Sequence, residues 1–136
     1  MNNELERLNA INKNTLMETL RIRYTEIGDD YLVATMPVDE KVHQPMGLLH
    51  GGATVALAES LGSAATMYFT KQEQVEVRGI EINANHVRSV KNGVVKATAH
   101  AIHLGGRTQV WEVKIEDENE KLISICRLTC LVLKKK

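Results

Sequence analysis

Glu59 is the only charged residue between His50 and Lys71, in the most apolar and glycine-marked stretch of the chain, LLHGGATVALAESLGSAATMYFT. A lone carboxylate on a buried helix costs several kcal/mol unless it is paired or hydrogen-bonded. That cost makes Glu59 the first candidate for chemistry, as a nucleophile or as a general base. The alternative is a solvent-facing stripe, but the helical neighbours Val55, Ala56, Gly62 and Ser63 do not form a charged face. Eight positions earlier, His50-Gly51-Gly52 opens the same helix. Unpaired backbone N–H groups and the helix dipole suit a carbonyl oxygen that gains negative charge, and glycine lets a substrate approach the backbone. The competing reading is a plain helix start with His50 as a surrogate N-cap. Eight residues of helix separate Gly51 from Glu59 by ~12 Å along the axis. One carbonyl cannot touch both. If both act on it, the glutamate comes from a second subunit whose helix runs antiparallel, which puts two sites on the interface of a two-fold dimer.

The pattern around this helix supplies the scaffold. Residues 1–20 are expected as a helical lead-in, with Leu5, Leu8, Ile11, Leu16 and Leu20 at roughly helical spacing. Alternation over Arg21–Ile27 and Tyr31–Val38, separated by Gly28-Asp29-Asp30, predicts two strands and a tight turn. His43–Leu49 is a loop containing Pro45 and Gly47, and the central helix runs from about His50 to Phe69. Strand patterns then follow over Val77–Ser89, Val94–His103, Arg107–Glu116 and Leu122–Leu133, expected as a four-stranded meander. Ile80, Ile82, Ala84, His86 and Arg88 are expected on one face of the first of these. Strands segregated from one long apolar helix indicate an α+β fold, an antiparallel sheet wrapped around that helix, as one domain over residues 1–136.

Composition removes several function classes. Lys plus Arg equals Asp plus Glu at 17 each and aromatics are 4%, so neither a nucleic-acid nor a membrane-surface partner is indicated. The opening MNNELERLNAINKN lacks the apolar core of a secretion signal, which predicts a cytoplasmic protein. Cys126 and Cys130, four apart on one strand, lie ~13 Å apart and beyond disulfide reach, as buried reduced thiols would. His100 and His103 are expected on opposite strand faces with no completing ligand, so no metal is expected. No G-x-S-x-G, P-loop or G-x-G-x-x-G occurs, and no cofactor is indicated.

The segment Gln44-Pro-Met-Gly-Leu-Leu-His-Gly-Gly-Ala, followed by Glu59, resembles the hotdog-fold acyl-CoA thioesterases, in the branch of the phenylacetate-pathway and Arthrobacter-type 4-hydroxybenzoyl-CoA enzymes. GIEINANHVRS (Gly79–Ser89) and HLGGRTQVW (His103–Trp111) are similar to thioesterases that hydrolyse 1,4-dihydroxy-2-naphthoyl-CoA in menaquinone biosynthesis, and to a proofreading thioesterase of enterobactin synthesis. The resemblance implies a homodimer with shared active sites. Pairing of dimers into a homotetramer is a further expectation. Coenzyme A enters as part of the substrate. By the same resemblance Glu59 is nucleophile or general base, Gly51 N–H holds the thioester oxygen, Gln44 orients thioester or water, and His50 places the acyl group or leaving thiolate. Ser63, Met67 and Tyr68, with Met46 and Leu48, are expected to line the acyl pocket. His86, Arg88 and Arg107 are candidates for the coenzyme A phosphates, Arg by its bidentate fork, against the alternative of surface salt bridges. A hotdog hydratase or dehydratase using His43 or His50 with Glu59, or a non-catalytic acyl-CoA-binding protein, are the alternatives.

Overall fold

A computed structural model describes residues 3–136. Two helices lead in, α1 (Asn3–Ile11) and α2 (Leu16–Thr19), so the first two positions of the expected lead-in lie outside the described residues. Strands β1 (Arg23–Ile27) and β2 (Tyr31–Val38) follow, then a 3-10 turn (Glu40–Val42) and the long helix α3 (Gly51–Phe69). The chain closes with β3 (Val75–His86), β4 (Gly93–Leu104), β5 (Thr108–Glu116) and β6 (Leu122–Lys134). All pairings are antiparallel in one six-stranded sheet of order β1-β2-β4-β5-β6-β3.

The expected four-stranded meander is therefore corrected. Only β4-β5-β6 is a meander; β3 lies at the far edge beside β6, and β4 pairs with β2 along Tyr31–Val38. The cause is α3. Its 19 residues carry the chain ~28 Å along the sheet before β3 begins. Residues 87–92 then cross back at the start of α3. Val87 N–H donates to Ile123 O at 2.8 Å, and Leu49 N–H to Val90 O at 2.7 Å. The start of β1 also moves, because Arg21 has φ 59° and the N–H of Ile22 remains bonded to Met17 O at 2.8 Å.

Two β-bulges change which side chains share a face. At Ile80 the register slips between Gly79 and Glu81, so Gly79 faces α3 with Ile82, while Ile80 is 54% exposed. Arg88 lies beyond the strand end. At Ile102 the slip places His100 opposite Glu112 and His103 opposite Val110. These two histidines consequently share the outer face rather than alternating, yet no group of three metal-ligating side chains exists among the described residues.

The inner face of α3, including Leu57, Ala58, Leu61 and Ala65, is fully buried against the sheet with Leu32, Met36, Trp111 and Leu128. Close approach depends on Gly62, where a methyl group would stand 2.4 Å from Leu128 Cδ2. Leu128 is fully buried, so its side chain can yield only against other packed groups. Gly62→Val is expected to cost about 1–3 kcal/mol by overpacking, read as a lowered urea midpoint with an unchanged slope. Cys126 and Cys130 are buried and free, and burial raises both thiol pKa values.

The two sheet edges are treated differently. On β1, the Asn9 amide donates to Tyr24 O at 2.9 Å and accepts from Tyr24 N–H at 2.8 Å, mimicking a neighbouring strand. The outer edge of β3 pairs with no further backbone among the described residues. The Tyr24 ring itself is buried, which pushes its phenol from 10.0 up to about 12. The folded state then holds a proton that the unfolded chain releases. Stability is expected to fall as pH rises from about 10 towards about 12, and Tyr24→Phe should remove that part of an alkaline titration followed by denaturant.

Candidate active site

The start of α3 is built by its own cap. His50 has extended geometry (φ −69°, ψ 131°), and its Nδ1 accepts from Gly52 N–H at 2.8 Å. The N-cap reading of His50 is thus realised. A neutral imidazole bonded this way carries its proton on Nε2, which makes the free edge a donor. Gly51 is the first helical residue, and its N–H has no protein acceptor among the described residues. The loop before it is fixed by Gln44 N–H to Leu48 O at 2.8 Å and by Gly47, whose φ of 78° favours glycine. Gln44 Oε1 accepts from Met46 N–H, so the carboxamide is held in its own turn with the NH2 group left to donate. His43 Nε2 is engaged with Lys91 O at 2.7 Å.

A cleft of about 350 Å³ opens at this helix start, lined by Gln44, Gly51, Thr54, His86 and Arg88 among others. His86 sits closer to the chemistry than the sequence implied. A methyl group on Gly51 would stand 3.0 Å from His86 Nε2. The ring is oriented by Ser124, whose Oγ donates to Asn85 O at 3.2 Å and lies 3.0 Å from His86 Nδ1. With the hydroxyl proton on the carbonyl, Nδ1–H donates to Ser124 and the Nε2 lone pair faces Gly51.

Glu59 lies in a second, separate cavity of about 480 Å³. Its carboxylate is half-buried, not sealed in a core as the sequence suggested, because α3 presents it to this opening. A methyl group on Gly79 would stand 3.0 Å from Glu59 Oε2 and 3.8 Å from Ser63 Oγ, so glycine at the bulge makes room for the carboxylate. Ser63 and Met67 line the same cavity. Tyr68 does not: its hydroxyl donates to the Glu4 carboxylate and ties α3 to α1. Met46 is 81% exposed, and Leu48 lines the Gly51 cleft, so neither reaches the Glu59 cavity.

The structure therefore brings Gln44, Gly51, His86 and Arg88 together, and Glu59, Ser63 and Met67 together. Arg107 joins neither group. It follows the hairpin Gly105-Gly106, where Gln72, just past the end of α3, donates to Gly106 O. The sequence reading missed Gly79, Ser124 and the contribution of α1 and α2. An isolated glycine in a strand is a usable signal for Gly79; nothing local marks the other residues.

Residues 46–124 match the sequence profile of the thioesterase superfamily. The chain is 52% identical to the 1,4-dihydroxy-2-naphthoyl-CoA hydrolase of Escherichia coli (strain K12), over 95% of this chain and 94% of that one. It is 50% identical to the proofreading thioesterase EntH of Cronobacter turicensis, over 95% and 93%. The crystal structure of a mutant thioesterase from Pseudomonas aeruginosa superposes with a TM-score of 0.92 at 47% identity, covering 95% of this chain and 93% of that chain.

Proposed function

The chain belongs to the thioesterase superfamily, and we propose that it hydrolyses an aryl-CoA thioester, of the 1,4-dihydroxy-2-naphthoyl kind that serves menaquinone biosynthesis, to the free acid and coenzyme A. The observation that carries the mechanism is the separation of Gly51 and Glu59 into two cavities on one chain. An active site that needs both is completed by a second copy. The uncovered edge of β3 supports that pairing, since an open strand edge takes a partner strand. In a two-fold dimer with antiparallel α3 helices, Gly51 of one subunit meets Glu59 of the partner subunit.

Gly51 N–H polarises the thioester carbonyl and stabilises the oxyanion that forms. Glu59 of the partner subunit either attacks the carbonyl carbon, expelling the thiolate and leaving a mixed anhydride for water to cleave, or takes a proton from the attacking water. The free NH2 of Gln44 and the Nε2–H of His50 are donors for the thioester or the departing sulfur. Arg88, exposed at the rim of the Gly51 cleft, serves the coenzyme A phosphates. His86 stands against Gly51 rather than at a phosphate, and its Nε2 lone pair is an acceptor there, suited to a water or N–H and not to the oxyanion. Arg107, exposed after its hairpin, is offered as a second cation for the phosphates, from the partner subunit. Neither route calls for a cofactor. Among the described residues no helix is long and apolar enough to cross a membrane; a cytoplasmic homotetramer, two such dimers, is the assembly we propose. Thiol release from a panel of aryl- and fatty-acyl-CoAs tests the reading. Turnover highest on hydroxylated aryl thioesters is expected, and no release from any thioester would overturn it.

A further inference from the structure

We propose that the N-terminal helix pair is the specificity wall of the acyl site, with Asn12 accepting a hydrogen bond from a hydroxyl on the ring of the acyl group. This rests on the thioesterase reading above and names what that site selects. The cavity that holds Glu59 has two walls of different origin. Glu59, Ser63 and Met67 stand on α3, and Leu8, Ile11, Leu16 and Met17 face them from α1 and α2. About 480 Å³ is within the range of small-molecule sites and suits a one- or two-ring aryl group. Its mouth is strongly apolar: Ile11 is 69%, Leu16 56% and Met67 47% exposed, large hydrophobic side chains left uncovered around one opening.

Asn12 supplies the polar group. It lines the cavity, is only 6% exposed, and donates from Nδ2 to Ile22 O at 3.3 Å. No donor reaches its Oδ1 among the described residues. Asn12 Oδ1 is open to solvent rather than sealed, so an acyl group that fills the cavity displaces its water and is favoured if it brings a donor in exchange. A phenolic hydroxyl satisfies it; an unbranched fatty chain leaves it unpaired, and a carboxylate would oppose it. The wall is anchored rather than loose. Asn9 joins α1 to Tyr24 of β1 through two hydrogen bonds, and Glu4 joins α1 to Tyr68 of α3. Both helices lie outside the residues that match the superfamily profile, which begin at Met46, so selectivity can differ between subgroups there without disturbing the chemistry.

The test compares kcat/KM for 1,4-dihydroxy-2-naphthoyl-CoA, unsubstituted 2-naphthoyl-CoA and acetyl-CoA in the wild type, Asn12→Ala and Ile11→Trp. The ratio of dihydroxynaphthoyl to naphthoyl turnover cancels general damage to the fold. Asn12→Ala is expected to lower that ratio about tenfold, the worth of one hydrogen bond. Ile11→Trp, at an exposed position that folding tolerates, fills the cavity and is expected to lower naphthoyl relative to acetyl turnover at least about tenfold. If both ratios stay at their wild-type values while the wild type hydrolyses the thioesters, the wall does not select and this inference alone fails. If the wild type releases thiol from none of the three, the thioesterase reading fails and takes the inference with it.

Discussion

Glu59→Gln is expected to lower kcat at least about a hundredfold while the melting temperature stays at the wild-type value. The amide keeps the size and shape of the side chain but is neither a nucleophile nor a base at neutral pH, so the loss is confined to the chemical step. Folding should tolerate the change because Glu59 is half-buried at a cavity and forms no salt bridge among the described residues. Stopped-flow thiol release under single-turnover conditions isolates that step from product release. A loss below about threefold would remove Glu59 from the chemistry.

The second large effect is expected at Gly51. As the first residue of α3 it can be replaced by proline without a helix penalty, because proline is favoured at that position and the extended His50 is compatible with a following proline. Gly51→Pro deletes the one N–H that the mechanism needs. Gly51→Ala keeps it and adds only a methyl group, which meets His86 Nε2 at 3.0 Å. The ring must give by a few tenths of an ångström, a cost that both variants share. The proline variant is expected to fall below the alanine variant by a further ~10²–10³ in kcat, the usual loss for one oxyanion donor. Equal rates for the two variants would mean that the N–H does not act on the substrate.

Much of this site was legible because its signals are local. The glycines at the helix start, the isolated carboxylate, and the eight residues between them state a distance that helix geometry fixes. The boundaries of α3 and β2 follow from composition and alternation in the same way. What was not legible is set by pairing across the chain. The order of the sheet depends on where α3 delivers β3, which no strand pattern records. A single-residue bulge at Ile80 or Ile102 reverses the face of every later residue, so Gly79 rather than Ile80 came to meet Glu59, and His103 came to the side of His100. Leu8 and Ile11 read as part of a helical lead-in; only docking through Asn9 turns them, with Asn12, into a cavity wall. Tyr68 was misplaced for the complementary reason, since its one-residue offset from Met67 points it at Glu4.

The central claim is that each active site takes Gly51 from one subunit and Glu59 from the other. Co-expression of Glu59→Gln and Gly51→Pro chains under different affinity tags, followed by isolation of the mixed dimer, tests it most directly. In that dimer one site combines both defects and the other has none. About half the wild-type rate per dimer is expected, from two nearly inactive parents. A mixed dimer no more active than its parents would place both residues of each site in one chain and contradict the account.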